Sequence, residues 1–252
     1  MFQSAGLLHP DEVPVDGLTI AELDTEYFKA FYEKQFDESF DKQNASLTVV
    51  LENMNLMKNG VFNLAGALLF SKRPQIKLPN TIIKSICFPG NEIHVSEYRD
   101  SEDISGKLED GFKKALSFIT RNISHVQDSQ DVNSQGNLEI TKIALEELLT
   151  NALIHRDFFV SACIKIMIFD NRIELISPGH LPNNLTLENI KSGVSNIRNP
   201  VLASHGTKIL PYRGLGNGIR RALEAFPNIE FIDDRDGNQF VAIIHRREKG
   251  KG

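Results

Sequence analysis

The clearest periodicity in the chain covers residues 138–154, where apolar residues recur at helical spacing and Leu145, Leu148, Leu149, Ala152 and Leu153 cluster to one side. The same spacing predicts helices over 24–34, 47–57, 108–123 and 219–225, with short helical pieces at 64–70 and 187–191. Runs rich in β-branched and aromatic residues predict strands at 82–88, 93–98, 163–169, 172–176, 229–232 and 240–245. Turn residues separate three pairs of these: Pro89-Gly90-Asn91, Asp170-Asn171 and Asp236-Gly237-Asn238. Polar stretches at 127–137 and 177–205 read as loops, and the second is long enough to act as a lid. The second half thus runs helix, hairpin, long loop, glycine-rich turn, helix, hairpin. That order predicts an α+β fold, a mixed and mostly antiparallel sheet with helices on one face. It does not suit a dinucleotide fold, which needs parallel βαβ units.

The organisation falls into three stretches. Residues 1–62 read as an extended lead-in and helical connector, 63–130 as a helix-hairpin-helix region, and 131–252 as the domain that carries the chemistry. The whole has 252 residues, 41% hydrophobic and 24% charged, an ordinary balance for a globular protein. A net charge of −5 argues against a uniformly basic nucleic-acid surface. Arg246, Arg247, Lys249 and Lys251 read as a solvated tail. Cys87 and Cys163 read as small core residues in a reducing compartment. No segment has the look of a signal peptide or a membrane span, so the expectation is a cytoplasmic protein that does not engage membranes.

Within the helix, Glu147, Asn151 and His155 stand at i, i+4 and i+8 and form one polar line. A carboxylate one turn from a carboxamide can polarise a water while the amide oxygen reaches a hard cation such as magnesium. An exposed stripe on an amphipathic helix would have the same spacing. His155-Arg156-Asp157 closes the helix, where it can face a ligand or the last carbonyls. Gly214, Gly216 and Gly218 precede the helix at 219–225, leaving backbone N–H groups free to approach phosphate, or simply turning the chain. Ser177-Pro178-Gly179 can wall a base pocket or end a strand, and Arg198 in the long loop is a phosphate or partner candidate. No Gly-x-x-x-x-Gly-Lys-Ser/Thr occurs, which counts against a P-loop helicase or GTPase.

Taken in order, Glu147-x-x-x-Asn151-Ala-x-x-His155-Arg156-Asp157, Ser177-Pro-Gly179, Arg198-Asn199-Pro200 and Gly214-x-Gly216-x-Gly218-Ile219-Arg220-Arg221 resemble the divergent GHKL ATPase domain of transcriptional regulators also described as RecG-related ATP-dependent DNA helicases. Asn63-Leu-Ala-Gly-Ala-Leu-Leu-Phe70-Ser-Lys-Arg-Pro74 resembles the stretch upstream of that domain. The resemblance implies a two-layer α/β sandwich of GHKL (Bergerat) type. It implies that Glu147 activates water, that Asn151 holds magnesium, and that Gly214, Gly216 and Gly218 lie near the phosphates. His155, Asp157, Pro178, Gly179 and Arg198 complete the implied nucleotide site. Ser177 falls where such proteins keep the Asp of an Asp-x-Gly that recognises the adenine amino group, so this chain departs from the pattern there. The family's usual AlbA-type and winged-helix domains are not visible, and the chain is expected to be a piece or a short form of a longer regulator.

Two functions follow as expectations. One is a regulatory module that binds ATP with Mg2+, a weak ATPase at most, meeting DNA only through domains outside this chain and assembling as a homo-oligomer. The other is a degenerate scaffold for dimerisation, which the Ser177 departure favours. Direct DNA binding by this chain is a third reading, disfavoured by the acidic balance.

Overall fold

The computed structural model describes residues 9–94, 96–126, 137–182 and 185–246, and the predicted loop at 127–137 lies almost wholly outside them. The helices are α1 (Thr25–Phe36), α2 (Leu47–Asn53), α3 (Leu64–Phe70), α4 (Leu108–Asn122), α5 (Lys142–His155), α6 (Leu187–Lys191), α7 (Pro200–Ile209) and α8 (Gly218–Ala225). The strands are β1 (Pro14–Thr19), β2 (Met57–Lys58), β3 (Val61–Asn63), β4 (Ile83–Cys87), β5 (Asp100–Ile104), β6 (His125–Val126), β7 (Asn137–Leu138), β8 (Ile164–Ile168), β9 (Arg172–Pro178), β10 (Ile229–Asp234) and β11 (Gln239–His245).

A six-stranded sheet in the order β10-β11-β9-β8-β4-β5 forms the frame. Only the β4–β8 pair is parallel; the other neighbours run antiparallel. The sheet draws β4 and β5 from before residue 131 and the other strands from after it. Register sets the faces. Ser85 aligns with Ile166, Ile166 with Leu175, Leu175 with Ala242, and Ala242 with Phe231, so one buried row crosses five strands. Alternate positions such as Lys84 and Lys165 are exposed, as the two-residue period requires. Helices α4 and α5 lie over the buried face and α8 packs on α5, which makes two layers. The mixed, mostly antiparallel α+β architecture read from the pattern is therefore what the chain adopts.

Ahead of this frame, β1, β3 and β2 make a small antiparallel sheet. The lead-in is tied down through it: Val15 and Leu18 are buried. Every residue of α3 is buried, and its Phe70 packs edge-on against Phe28 of α1 at 5.2 Å.

Several expectations change. The second strand after Pro89 is Asp100–Ile104, not 93–98; Ile93 and Tyr98 are each 61% exposed. β5 is a sheet edge whose Asp100 and Glu102 both bind Arg121 of α4 at 2.8 Å, so acidic residues occupy a strand position. Residues 200–205, expected as the end of the long loop, belong to α7, and Pro200 opens it where its missing N–H costs nothing. The helix expected from 138 begins at Lys142, because Leu138 belongs to β7. Arg246 is not part of a solvated tail. It is 8% exposed, binds Glu139 through Nε at 3.0 Å and Nη2 at 2.8 Å, and donates to the Phe169 carbonyl at 2.5 Å. Arg247, Lys249 and Lys251 lie outside the described residues. Cys87 is buried as expected, whereas Cys163, just before β8, is half-buried.

Candidate functional site

A cleft opens between α5, the C-terminal end of β9, the segment around α6, and the glycine-rich turn before α8. With its open mouth counted, it holds about 1040 Å³ free of protein atoms. Eight of the ten expected site residues line it: Glu147, Asn151, His155, Gly179, Arg198, Gly214, Gly216 and Gly218. Asp157 and Pro178 stand immediately behind, the Asp157 N–H donating to the Pro178 carbonyl at 2.8 Å. Much of the remaining wall is apolar, including Leu148, Leu175, Leu181 and Ile190.

The polar line on α5 is not an exposed stripe. Nearly all of α5 beyond its first turn is buried, and Glu147 is only 5% exposed. The Arg221 guanidinium of α8 forms an ion pair with Oε1 of Glu147. Burial pushes the Glu147 carboxyl above its ordinary range, and the charges of Arg221 and Arg213 oppose that. The Asn151 Nδ2 donates to the Glu147 carbonyl one turn back at 2.7 Å. Gly218, the first residue of α8, lies against both: a Cβ there would stand 2.8 Å from Glu147 Oε2 and 2.8 Å from Asn151 Nδ2. The glycine-rich turn and the polar line on α5, distant in sequence, thus meet at one point.

The turn itself needs glycine at Gly216. Its φ is 72°, and a side chain would run into Ser195 Oγ at 2.8 Å and the Gly193 carbonyl at 2.9 Å. That close approach joins the turn to the segment after α6. Gly179 has φ 94°, and a Cβ would reach Asp157 Cβ at 2.5 Å and Arg198 Nη1 at 2.8 Å.

The three residues that close α5 separate in function. His155 faces the cleft, with Nε2 3.4 Å from the Tyr212 hydroxyl; burial first, then the Arg198 charge, pulls its pKa down to about 4. Arg156 turns away, donating to the Asn80 carbonyl at 3.2 Å and the Ala162 carbonyl at 2.6 Å. Asp157 holds the local turn, Oδ1 accepting from the Phe159 N–H at 2.9 Å.

Arg198 is 8% exposed and donates to the carbonyls of His155 at 3.2 Å and His180 at 2.9 Å. Its neighbour Asn199 is fully buried, and Nδ2 donates to the Ile154 carbonyl at 2.8 Å and the Arg156 carbonyl at 2.9 Å. Arg198-Asn199 therefore satisfies the carbonyls where α5 ends. Ser177 lines the cleft, is 7% exposed, and its hydroxyl donates to the Ala152 carbonyl at 3.4 Å.

Arg221 stands inside the motif that begins at Gly214, with no role implied for it there, and Arg213 and Tyr212 belong to no motif. The signal for Arg221 was its position, three residues after Gly218 and so on the same turn of α8. Tyr212 and Arg213 carried none.

A two-layer α+β domain with a cleft between its central helix and a glycine-rich turn is the class these features define. Residues 162–242 match the family described as "Putative ATP-dependent DNA helicase recG C-terminal", an ATPase-like domain. The match takes in Pro178, Gly179, Arg198 and the three glycines; α5 precedes it. Among solved structures, the chain is similar to the DIP2311 protein from Corynebacterium diphtheriae, at 20% identity and a TM-score of 0.64. That similarity covers 98% of this chain and 49% of the other, so the chain spans about half the length of the structure it resembles. The likeness is one of fold. No curated protein matches the sequence. No helix among the described residues is long and apolar enough to cross a membrane.

Proposed function

We propose that the chain is an ATP-binding regulatory module built on a GHKL-type (Bergerat) sandwich, its cleft taking ATP with magnesium. The observation that carries this reading is the meeting of Gly218 with Glu147 and Asn151. A helix N-terminus offers free N–H groups and a positive dipole end to phosphate. Here it stands beside a carboxamide and a buried carboxylate. The ATPase-like family matched by residues 162–242 supports the same reading.

Asn151 would hold the ion. With Nδ2 engaged by the Glu147 carbonyl, the side-chain oxygen is the acceptor left over. Magnesium suits such sparse protein ligation, filling its octahedron with waters and phosphate oxygens. Among the described residues no cluster of three or more His, Cys, Asp or Glu is arranged to hold a metal, so the ion would arrive with the nucleotide. When bound, it would neutralise phosphate charge. Glu147 would act on water only slowly, since Arg221 engages one of its oxygens. Contact with DNA would fall to other domains, and nucleotide would regulate through the segment joined to the turn at Gly216.

Titration of the protein with ATP and ADP, with and without magnesium, tests this by calorimetry. Mg-ATP at 100 times its Kd should stabilise the fold by about 2.7 kcal/mol, seen as a raised Tm, and Asn151→Ala should remove the magnesium-dependent part. No heat and no Tm shift at saturating nucleotide would defeat it. A second reading, a nucleotide-free dimerisation scaffold, is favoured by Ser177, which puts a hydroxyl where a carboxylate would recognise adenine. It expects an oligomer that is indifferent to nucleotide and survives both Glu147→Ala and Asn151→Ala.

A further inference from the structure

Helix α7 begins without a cap of its own. The residue before it, Asn199, is of a type that ordinarily caps a helix by accepting from the N–H of its second or third residue. Here that side chain makes no such bond. Its Nδ2 is turned back to the Ile154 and Arg156 carbonyls at the end of α5, and its Oδ1 is buried with no partner among the described residues. Pro200, the first residue of α7, has no N–H to satisfy. The need of the third residue is met from the far end of the chain. Asp11, fully buried in the turn Pro10–Glu12, accepts from the Leu202 N–H at 2.9 Å through Oδ2. His9, next to that turn, places Nδ1 3.4 Å from the Arg198 carbonyl.

The Asn199 side chain therefore stands between two duties. While Asp11 caps α7, Asn199 can hold the end of α5. With the turn withdrawn, the Leu202 N–H would be left without an acceptor, which is costly for a buried donor. The Asn199 oxygen stands in the ordinary capping position and is already unpartnered. Its backbone, at φ −122° and ψ 79°, lies off the extended conformation of a self-capping residue. Taking the cap thus means turning the chain that also carries Arg198, which lines the cleft and is held by the His155 and His180 carbonyls.

We infer that Asp11 is a positioning residue for this wall of the cleft: by capping α7 from a distance it leaves Asn199 to the end of α5 and fixes Arg198 in place. Undocking of the turn passes the cap to Asn199, releases the end of α5 and shifts Arg198. The hand-over stands without a ligand; its consequence, regulation of nucleotide binding through residues 9–12, rests on the reading given above.

The test is hydrogen exchange by NMR in the nucleotide-free protein, read at the Asn199 side-chain amide and at the Leu202 N–H. In Asp11→Ala the Asn199 amide protons should lose protection by about tenfold, while the Leu202 N–H keeps its own. Asp11→Asn, which restores an acceptor, should return both to wild type. Loss of protection at Leu202, or no change at Asn199, would overturn the inference. If Asp11→Ala does not fold, wild type decides: the Asn199 amide protons should exchange through a less costly opening than the Leu202 N–H, and the reverse order would overturn it. Mg-ATP should bind more weakly to Asp11→Ala and equally well to Asp11→Asn. If wild type fails to bind Mg-ATP while the hand-over is seen, the nucleotide reading falls and the positioning role stands. If Mg-ATP binds and the hand-over is not seen, the reverse holds.

Discussion

Asp11 shows how one buried carboxylate reaches across the chain. It is fully buried; Oδ2 accepts from the Leu202 N–H at 2.9 Å in the first turn of α7, while Oδ1 is buried without a hydrogen-bond partner. Burial, only partly offset by the backbone hydrogen bonds, raises its pKa to about 6 from the ordinary 3.8. Between about pH 4 and pH 6 the folded state then binds more protons than the unfolded state. Stability from this group is therefore present at low pH and is lost as pH rises through that window, by up to about 3 kcal/mol. His155 works in the opposite sense: its folded pKa is lowered to about 4, so stability is lost as pH falls from about 6.5 toward 4. Asp11→Asn keeps an acceptor for the Leu202 N–H and removes only the first effect. Urea unfolding at pH 4, 5, 6 and 7 should show the variant gaining on wild type up to about pH 6 and holding a constant difference above it. A pH-independent difference would show that Asp11 does not titrate in that window.

At the scale of elements, the end of α5 depends on a residue from the segment that leads into α7. Asn199 satisfies two of the carbonyls around it, those of Ile154 and Arg156, through a single amide nitrogen. Asn199→Ala would leave both acceptors buried, at about 1–3 kcal/mol each, so a loss of about 2–6 kcal/mol is expected in chemical unfolding. The same substitution should free the backbone that carries His155, seen as faster amide exchange at the end of α5. This is also where reading the sequence reached its limit. Glu147, Asn151 and His155 share a face by arithmetic alone, and the pairs β8–β9 and β10–β11 announce themselves by alternation and turn residues. α7 could not be seen because Pro200 looks like an interruption until it is known to occupy the first helical turn. β5 was hidden because an edge strand tolerates acids when a helix brings an arginine to them. Arg198 was legible as a charge in a loop; that its nitrogens are engaged by two carbonyls depends on contacts 43 and 18 residues away. No local pattern records such contacts.

Taken whole, the small sheet and its helices are fastened to the frame by polar bridges as well as by core. Tyr27 donates to Glu109 of α4 at 2.7 Å, Lys107 binds Asp24 at 2.8 Å, and His205 of α7 meets the Met54 carbonyl at 3.1 Å. Between the two parts lies α3, buried along its full length, with Phe28, Phe62 and Phe70 fully enclosed around it. Separating residues 9–70 from the rest would expose these aromatics together with apolar surface of α4 and α7. At about 1.5–3 kcal/mol for each large side chain brought to water, a handful of them outweighs the 5–15 kcal/mol that stabilises a typical domain. The two parts should therefore unfold together. With Tyr98 and Tyr212 replaced by Phe, the two remaining tyrosines, Tyr27 and Tyr32, report on the N-terminal part, and far-UV dichroism on the helices of both. The two signals should follow one transition in guanidinium with a common midpoint. An early tyrosine transition that leaves most of the helical signal in place would show that the first part unfolds by itself. Mg-ATP should shift the common midpoint as a unit, because a cleft built from α5 and α8 draws its stability from the same core that α3 completes.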